Sequence, residues 1–599
     1  MAKTEEDTPK DTRDDFHIPD AAVPEPAPAP AVVPPAGVPQ RRGLKRFCHW
    51  VKTHKKASIP LAIVLVIAIL AAIPFTRYAL AGVVWKQQFR VHVTDSQTGK
   101  PVSSATVTLA GKTVNTNGEG DATIKAPVGH KQLAITKKYY RSASQTVLVP
   151  ILKPKSTLTV QLAATGRQVP VSVINTITQQ AVSGATIKTS DTEAKTDKTG
   201  KTTLVVPAAK KTISVTIAGT NYNTTTATLQ VTTSEVSANT FKITPSGKLY
   251  FLSNLSGNVD VVKSNLDGTD RQTVLPGTGK EDKQNTVLLA SRDWKYLALL
   301  SKRDGGDNAK LFLIDTSTDK LTTMDEGNAS FALTGWSNDT FIYQVNRQGL
   351  QAWQPKQQAI KSYNATNGKL TTLDETGAQG DSASYAYQSY QAVYAVGTDI
   401  VFVENWNQSY SGLVLIGGKQ ATVNTVKNDG SGKRVVRGFT AATPSGQSSP
   451  SATLVSYLYE PGGVYLKFYG DSGNQTYEYE NGQVKNIADM SWNDFWQGQA
   501  TYPTYLVSPS GNQTFWSDSR DGKNTLFVGD ADGKNQKQIA SLSDYQTYGW
   551  YTDNYVLVSK NSSELYILPA TGSTSPLKVT DYYKPAVNFR GYGGGYGGL

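Results

Sequence analysis

Between residues 245 and 584 the chain repeats one pattern seven times: a turn that enters an apolar strand, then a tight turn before a later strand. The tight turns are Asp267-Gly268, Thr318-Asp319, Asn367-Gly368, Asp429-Gly430, Asn481-Gly482, Asp532-Gly533 and Thr571-Gly572. Asx-Gly pairs of this kind favour two-residue hairpin turns. Successive turns lie 51, 49, 62, 52, 51 and 39 residues apart, close to the length of a four-stranded propeller blade. The repeat predicts a β-propeller over residues 245–584, with seven blades favoured over six or eight.

Two of these units carry the pattern most completely. Residues 246–275 and 508–539 each begin near a Pro-Ser-Gly turn and reach an Asp-Gly turn before their last strand. Both resemble the repeats of TolB-type propellers and of the N-terminal propeller of dipeptidyl peptidases. That resemblance implies a propeller that serves as a binding platform, and it supplies no single-residue site.

The segments 86–164 and 166–244 are two copies of one shorter plan. Each copy has a turn, then the spacing V-x-x-A-x-V or V-x-x-A-x-I, then a T-x-x-x-G turn, and both alternate with the period of a strand. The two copies resemble the carboxypeptidase-regulatory-like family of Ig-like β-sandwiches, although Gln179-Gln180-Ala181 replaces the Gly-Lys-Pro of the first copy. The resemblance implies two β-sandwich modules that act as a stalk or accessory domains.

The N-terminal region predicts a membrane anchor. Residues 1–56 form a Pro/Ala-rich and then basic tail that we expect to be disordered and cytoplasmic. Residues 57–76 contain no charged side chain. This uncharged run is long enough to form a membrane-spanning helix, and we expect the signal-anchor helix over residues 57–82. Seven basic residues precede it and place the N-terminus in the cytoplasm by the positive-inside rule: Arg41, Arg42, Lys45, Arg46, Lys52, Lys55 and Lys56. A signal peptide cleaved after Ala79-Leu80-Ala81 is the competing interpretation.

Charge is distributed unevenly along the chain. Residues 86–244 hold 19 basic and 7 acidic residues, a net charge of +12, whereas residues 245–599 carry a net charge of −3. The excess lies next to the predicted membrane segment, so anionic envelope polymers are the expected partners of the stalk and no nucleic acid is expected.

Catalytic chemistry based on His or Cys is absent from the predicted propeller. Residues 245–599 contain neither residue type, which excludes a His-based triad there; His92 and His130 lie in the first module. No cofactor is expected and no catalytic residue is assigned. Four carboxylates cluster around one blade and suit turn structure, with Ca²⁺ as the alternative: Asp518, Asp521, Asp530 and Asp532. A carboxylate-based glycosidase is an open alternative.

Aromatic residues supply the remaining signal. Residues 245–599 contain 26 of the 30 Tyr and 8 of the 10 Trp. Six of them do not fit a blade strand and are predicted to bind a ligand, with packing between blades as the alternative: Tyr385, Tyr387, Tyr390, Tyr394, Trp492 and Trp496. Residues 585–599 form a Gly/Tyr-rich tail. The sequence as a whole is typical of a single-pass bacterial cell-surface protein that binds a protein or polysaccharide outside the cell; a surface glycosidase and an envelope assembly scaffold are the alternatives.

Overall fold

The computed structural model describes residues 64–66, 69, 78, 82, 84–152, 156–232, 235–377, 387–411, 414–417, 420–440, 452–460, 463–470, 475–480, 483–489, 508–520, 523–530, 535–541, 545–561, 563–572, 574–581 and 584–585. The chain divides into two units, Met1–Trp85 and Lys86–Leu599. The basic residues 41–56 and most of the expected helix 57–82 lie outside the described residues. Within the described part of the chain, no helix is long and apolar enough to cross a bilayer.

The first module of the second unit is a sandwich of two sheets. The sandwich forms because exposed and buried side chains alternate along its strands, as in residues 121–126. Each strand therefore covers the core with one face. Its strands are β1 (Lys86–Asp95), β2 (Thr106–Leu109), β3 (Lys112–Asn115), β4 (Asp121–Pro127), β5 (Gly129–Thr136), β6 (Ala143–Val149) and β7 (Leu158–Leu162). The sheet orders are β4-β1-β7 and β3-β2-β5-β6, and β1 and β7 run parallel.

The second module repeats this topology strand for strand. Its strands are β8 (Arg167–Asn175), β9 (Thr186–Lys188), β10 (Glu193–Lys195), β11 (Lys201–Val206), β12 (Thr212–Ala218), β13 (Thr225–Gln230) and β14 (Thr240–Ile243), and a 3-10 helix covers Ser237–Asn239. The sheets are β11-β8-β14 and β10-β9-β12-β13. The T-x-x-x-G threonines act alike: the Thr116 and Thr196 hydroxyls accept N–H bonds at 2.8 and 2.9 Å and donate to carbonyls at 2.7 and 2.6 Å.

Glycine is required where the two copies share their tightest turn. Gly120 and Gly200 have φ of 76° and 71°, and a Cβ on either would lie 2.5 or 2.7 Å from a backbone oxygen of the facing strand. The first turn differs in sequence between the two copies, and here glycine is not required. Gln179 takes φ of 56° where the first copy has Gly99 at 67°, so a side chain is tolerated at that turn because it is exposed.

Residues 249–585 contribute seven antiparallel sheets among the described residues, in agreement with the seven units of the repeat. The strands of the first three are β15 (Leu249–Ser253), β16 (Asp260–Ser264), β17 (Gln272–Leu275), β18 (Val287–Ala290), β19 (Tyr296–Ser301), β20 (Lys310–Asp315), β21 (Lys320–Asp325), β22 (Ala329–Ser337), β23 (Thr340–Arg347), β24 (Gln358–Asn364) and β25 (Leu370–Glu375). The others are β26 (Tyr387–Val396), β27 (Asp399–Ser411), β28 (Val414–Gly417), β29 (Gln420–Lys427), β30 (Arg434–Thr440), β31 (Ala452–Glu460), β32 (Gly463–Gly470), β33 (Gln475–Glu480), β34 (Gln483–Asp489), β35 (Gln513–Arg520), β36 (Lys523–Asp530), β37 (Lys537–Ser541), β38 (Tyr545–Thr552), β39 (Tyr555–Lys560), β40 (Glu564–Pro569), β41 (Leu577–Asp581) and β42 (Lys584–Pro585).

Each sheet is a meander and forms one blade of a propeller. Strands β15–β17 belong to blade 1, β18–β21 to blade 2, β22–β25 to blade 3, β26–β30 to blade 4, β31–β34 to blade 5, β35–β37 to blade 6 and β38–β41 to blade 7. All five residues of β15 are buried, because a blade is covered on both faces by its neighbours. The turns found in the sequence fall at equivalent places: residues 338–339 join the first two strands of blade 3, and Asn367-Gly368 joins its last two.

The two ends of the propeller meet in blade 1. Strand β42 pairs with β15, with Pro585 opposite Phe251 and Lys584 opposite Leu252, so the C-terminal strand supplies the inner strand of the first blade. Arg271 adds a side-chain link, since its guanidinium donates to Ser253 Oγ at 2.7 Å and to the Asp581 carbonyl at 3.3 Å. Strand pairing and this arginine therefore hold the ring closed.

Candidate ligand-binding groove

A propeller built from meanders has two different faces. Turns between the first and second strands, and between the third and fourth, lie on one face, which we call the docked face. Turns between the second and third strands, and the connections from one blade to the next, lie on the opposite face, which we call the open face. The assignment follows from the antiparallel order of the strands within each blade.

The second sandwich occupies the docked face at blades 1 and 7. Ile177, in the turn after β8, is 2% exposed and belongs to the same buried cluster as Leu249 and Leu565 of these blades. Its carbonyl accepts a hydrogen bond of 2.8 Å from Thr574, in the β40–β41 turn. Asn175 Nδ2 lies 3.3 Å from the Tyr555 hydroxyl. The sandwich thus contributes a side chain to the propeller core, and the two are joined as one body.

The open face carries a groove between blades 2, 3 and 4. Its main cavity has a volume of about 440 Å³, within the range of ligand sites. The floor is small and apolar, with Ala309, Ala329, Ala332 and Val345 among its residues. Amide side chains surround that floor: Asn285, Asn308, Gln344, Asn346, Gln348 and Gln358. The groove therefore offers many hydrogen-bonding groups above an aliphatic surface.

Four of these side-chain amides use one of their two groups, either the amino group or the oxygen, in a hydrogen bond within the protein. The other group has no partner among the described residues. The Asn285 and Asn308 amino groups donate to Asp282 at 2.8 Å and to Asn328 at 3.0 Å, so their oxygens stay available. The Gln358 oxygen accepts the Tyr390 N–H at 3.0 Å, and the Asn346 oxygen accepts from Gln357, so their amino groups stay available. The groove presents oriented donors and acceptors together.

A second cavity of about 300 Å³ adjoins the first and shares Ala329, Phe331, Val345 and Gln348 with it. Its wall contains Asp325, whose Oδ2 accepts from the Tyr343 hydroxyl at 2.7 Å and from Lys361 at 2.8 Å. Burial, and then the charge of Asp325, raise the pKa of Tyr343 far above its usual range. This carboxylate joins blade 2 to blade 3 and fixes the wall of the groove.

Charged groups at the rim of the main cavity are Asp282, Lys302 and Asp307. The pKa of Asp282 is lowered, first by the hydrogen bond from Asn285 and further by the charge of Lys302. Asp307 is exposed and has no ion-pair partner among the described residues. Among the described residues that line the cavity, the rim therefore carries one more negative than positive charge.

The predicted ligand-binding tyrosines are placed in a strand rather than in a loop. Tyr387, Tyr390 and Tyr394 belong to β26, the inner strand of blade 4. Tyr390 is 7% exposed and packs edge-on against Phe402 with ring centroids 5.6 Å apart. Among the described residues, part of the extra length of this unit lies in a long strand, since β27 runs for 13 residues. Tyr385, Trp492 and Trp496 lie outside the described residues.

Tyr390 belongs to a partly buried cluster of charged residues below the groove. Asp374, at the end of blade 3, lies 2.6 Å from the ammonium of Lys433 in blade 4. Burial, followed by the charges of Asp374 and Glu404, raises the pKa of Tyr390 far above its usual range. Burial and then Asp374 also raise the pKa of Glu404, whereas Lys433 opposes that shift. Neither carboxylate lines the groove.

The other predicted sites are described only in part. The Asp530 carboxylate accepts a hydrogen bond of 2.6 Å from Asn535, while Asp521, Asp532 and the side chain of Asp518 lie outside the described residues, so Ca²⁺ binding stays a prediction. His92 Nδ1 lies 2.8 Å from the Asp121 carboxylate on the neighbouring strand. His130 is exposed on the other sheet of that module.

The basic stalk contains a cleft of about 470 Å³ between its two modules. Lys138 Nζ lies 2.6 Å from Asp191, which also accepts from the Tyr139 hydroxyl at 3.0 Å. The hydrogen bond from Lys138 is the main cause of the lowered pKa of Asp191. Burial lowers the pKa of Lys137, and Glu193 partly offsets this. Polar contacts therefore join the modules, and much of the local charge is already paired.

Sequence reasoning did not find the groove residues. They come from separate connections, and Asn285 is 61 positions from Asn346. One signal was present: Gln344 and Asn346 interrupt the apolar pattern near the end of β23, where a blade strand reaches the open face.

Comparison with known proteins gives low similarity throughout. TolB from Acinetobacter baumannii is 12% identical, with 54% of this chain and 75% of that chain covered and a TM-score of 0.23. Dipeptidyl peptidase 4 from Porphyromonas gingivalis is 11% identical, with 55% of this chain covered and a TM-score of 0.35; this chain spans 58% of its length. The shaft pilin SpaA from Lactobacillus rhamnosus GG is 13% identical, with 27% of this chain and 99% of that chain covered and a TM-score of 0.14.

These values carry no activity over to this chain. No family model matches it, and no curated protein matches it. The resemblance of the two sandwiches to the carboxypeptidase-regulatory-like family therefore stays a prediction, whereas the propeller follows from the strand order itself.

Proposed function

We propose that this chain is a single-pass cell-surface protein whose two sandwiches hold a non-catalytic propeller with its open face directed at a ligand in the envelope. One observation carries the proposal. The second sandwich is docked through Ile177 on one face, at blades 1 and 7, and the amide-lined groove lies on the opposite face. A platform held from one side and grooved on the other suits recognition, because the loops of a scaffold carry its binding residues.

Exposure of apolar side chains supports the membrane part of the proposal. Val64, Leu65, Val66 and Ile69 are helical and 53–61% exposed. A segment whose aliphatic side chains face outward in this way is suited to lipid, in which an α-helix satisfies its own backbone hydrogen bonds. The seven basic residues before it support a cytoplasmic N-terminus.

Photo-cross-linking in intact cells tests the binding part. A benzophenone amino acid replaces Gln348, on the rim of the groove, in the full chain. The matched control replaces Thr318, an exposed residue of the β20–β21 turn on the docked face. We expect an envelope adduct at Gln348 and none at Thr318. Equal adducts at both positions, or no adduct at Gln348, would overturn the proposal.

A further inference from the structure

We infer that the groove binds an extended polypeptide segment with small apolar side chains and one basic side chain. This inference rests on the proposed function and names the ligand class of the same site. It uses three properties of the groove: the availability of its amide groups, the shape of its floor and the charge of its rim.

The amides match the backbone of a peptide. Among the described residues, the oxygens of Asn285 and Asn308 have no partner and can accept from N–H groups, and the amino groups of Asn346 and Gln358 have no partner and can donate to carbonyls. An extended peptide offers one donor and one acceptor for each residue other than proline. Because one half of each amide is held by a neighbour, less side-chain entropy is lost when the ligand binds.

The floor distinguishes a peptide from a sugar. Sugar rings are commonly held on the exposed face of an aromatic side chain, but the two aromatic rings that line this groove among the described residues are buried. Phe331 is 6% exposed and Tyr390 is 7% exposed. What remains open is an aliphatic surface that includes Ala309 and Ala332, which are partly or fully exposed. Small apolar side chains fit that surface.

The third property of the groove is the charge of its rim. Lys302 acts on Asp282, whereas Asp307 is exposed and has no ion-pair partner in the described part of the chain. A lysine or arginine in the ligand would supply the missing positive charge. Attraction of this kind between complementary charges favours the correct partner and suppresses like-charged ones.

Binding of defined probes to the full chain in detergent micelles tests the inference. The probes are fluorescent hexapeptides of Ala, Val and Ser with one fixed Lys, the same set with one fixed Glu, and a set of neutral hexasaccharides. We expect the Lys set to bind at least about fivefold more tightly than the Glu set, since a rim charge acts through long-range attraction. Asp307→Lys should reverse that preference.

Two variants locate the binding. Asn308→Ala combined with Asn346→Ala should weaken the Lys set by roughly tenfold, the effect of losing about two hydrogen bonds. The matched control Gln145→Ala removes an exposed amide of the first sandwich and should change nothing. Unchanged melting temperatures show that all variants fold.

The outcomes separate the two proposals. If hexasaccharides bind and the double variant abolishes that binding, the groove is the ligand site and the peptide class is wrong. If no probe binds, or if binding ignores both Asp307→Lys and the double variant, the peptide inference is overturned. The cross-linking at Gln348 then decides the proposed function independently.

Discussion

The side-chain nitrogen of Asn175, at the end of a strand in the second sandwich, lies 3.3 Å from the hydroxyl of Tyr555 in the last blade. This contact crosses from the stalk to the propeller. Two positions later, Ile177 enters the buried cluster of blades 1, 2 and 7. The second sandwich is thus a structural part of the propeller, and it determines which face is left open.

Ile177→Ala in the full chain should lower the free energy of unfolding by about 2–5 kcal/mol, since truncating a buried Ile leaves a cavity in the core. Chemical denaturation of the full chain measures this. The matched control is Leu148→Ala, because Leu148 is 40% exposed and should change stability by less than about 0.5 kcal/mol. Equal effects of the two variants would contradict the docking of the sandwich.

Closure of the ring can be tested with two glycines of similar backbone. Gly268 and Gly257 have φ of 80° and 90°, so alanine strains both. A Cβ on Gly268 would lie 1.8 Å from the Val579 carbonyl of blade 7, whereas a Cβ on Gly257 meets nothing within 4 Å. Gly268→Ala should therefore lower the melting temperature clearly more than Gly257→Ala. A difference of zero would mean that blades 1 and 7 are not closely packed.

The half-buried carboxylate of Glu404 should make stability depend on pH. Burial and Asp374 raise its pKa above the ordinary value of 4.5, so the folded chain binds this proton more tightly than the unfolded chain. As pH rises above 4.5, the unfolded chain loses the proton first, and stability falls until the folded-state pKa is passed. Glu404→Gln should then melt higher than wild type at neutral pH, with the difference shrinking toward pH 4.

Glu564→Gln is the control for which we expect the opposite change in melting temperature at neutral pH. The hydrogen bond from Lys578 lowers the pKa of Glu564, so its contribution is present above the unfolded-state pKa and is lost as pH falls. This variant should melt lower than wild type at neutral pH and approach it in acid. If the two variants shift the melting temperature in the same direction at neutral pH, the environment assigned to Glu404 is wrong.

Salt should weaken any attraction between the stalk and anionic polymers. Residues 86–244 carry a net charge of +12, and exposed charges are screened over about 8 Å at physiological ionic strength. Full chain bound to polyphosphate beads should elute as salt rises from low to high concentration. Retention that does not depend on salt would show that the charge of the stalk does not cause the attraction.

The architecture could be predicted because its signals are local. Gly268, Gly368 and Gly430 have φ of 80°, 71° and 89°, and the Asx-Gly pairs that contain them mark the same turn in three blades. The groove could not be predicted, because strand pairing and blade order bring its residues together from distant positions. Ile177 occupies the turn position that Gln97 has in the first module, where the turn contacts Gln168 instead. An apolar residue at this position was a sequence signal of the docking.

Three tyrosines of blade 4, Tyr387, Tyr390 and Tyr394, were expected in an insertion and lie in a strand. Their spacing did not indicate a strand, because Tyr387 and Tyr390 are an odd number of positions apart, and β26 also pairs with β27 through a register shift between Gln391 and Tyr394. Such an irregularity breaks the two-residue alternation on which strand recognition depends. The long gap between markers therefore suggested an insertion, whereas the described part of that gap contains the long paired strands β26 and β27.

Surface display is tested most directly by labelling with a membrane-impermeant maleimide, because the native chain has a single cysteine, Cys48, in the predicted cytoplasmic tail. The probe position is Gln145→Cys, exposed on the first sandwich, in a chain that also carries Cys48→Ser. We expect intact cells to label Gln145→Cys and to leave Cys48 of the native chain unlabelled until the membrane is permeabilised. Labelling of Cys48 in intact cells, protection of Gln145→Cys, or a mature chain that lacks Cys48 would contradict it.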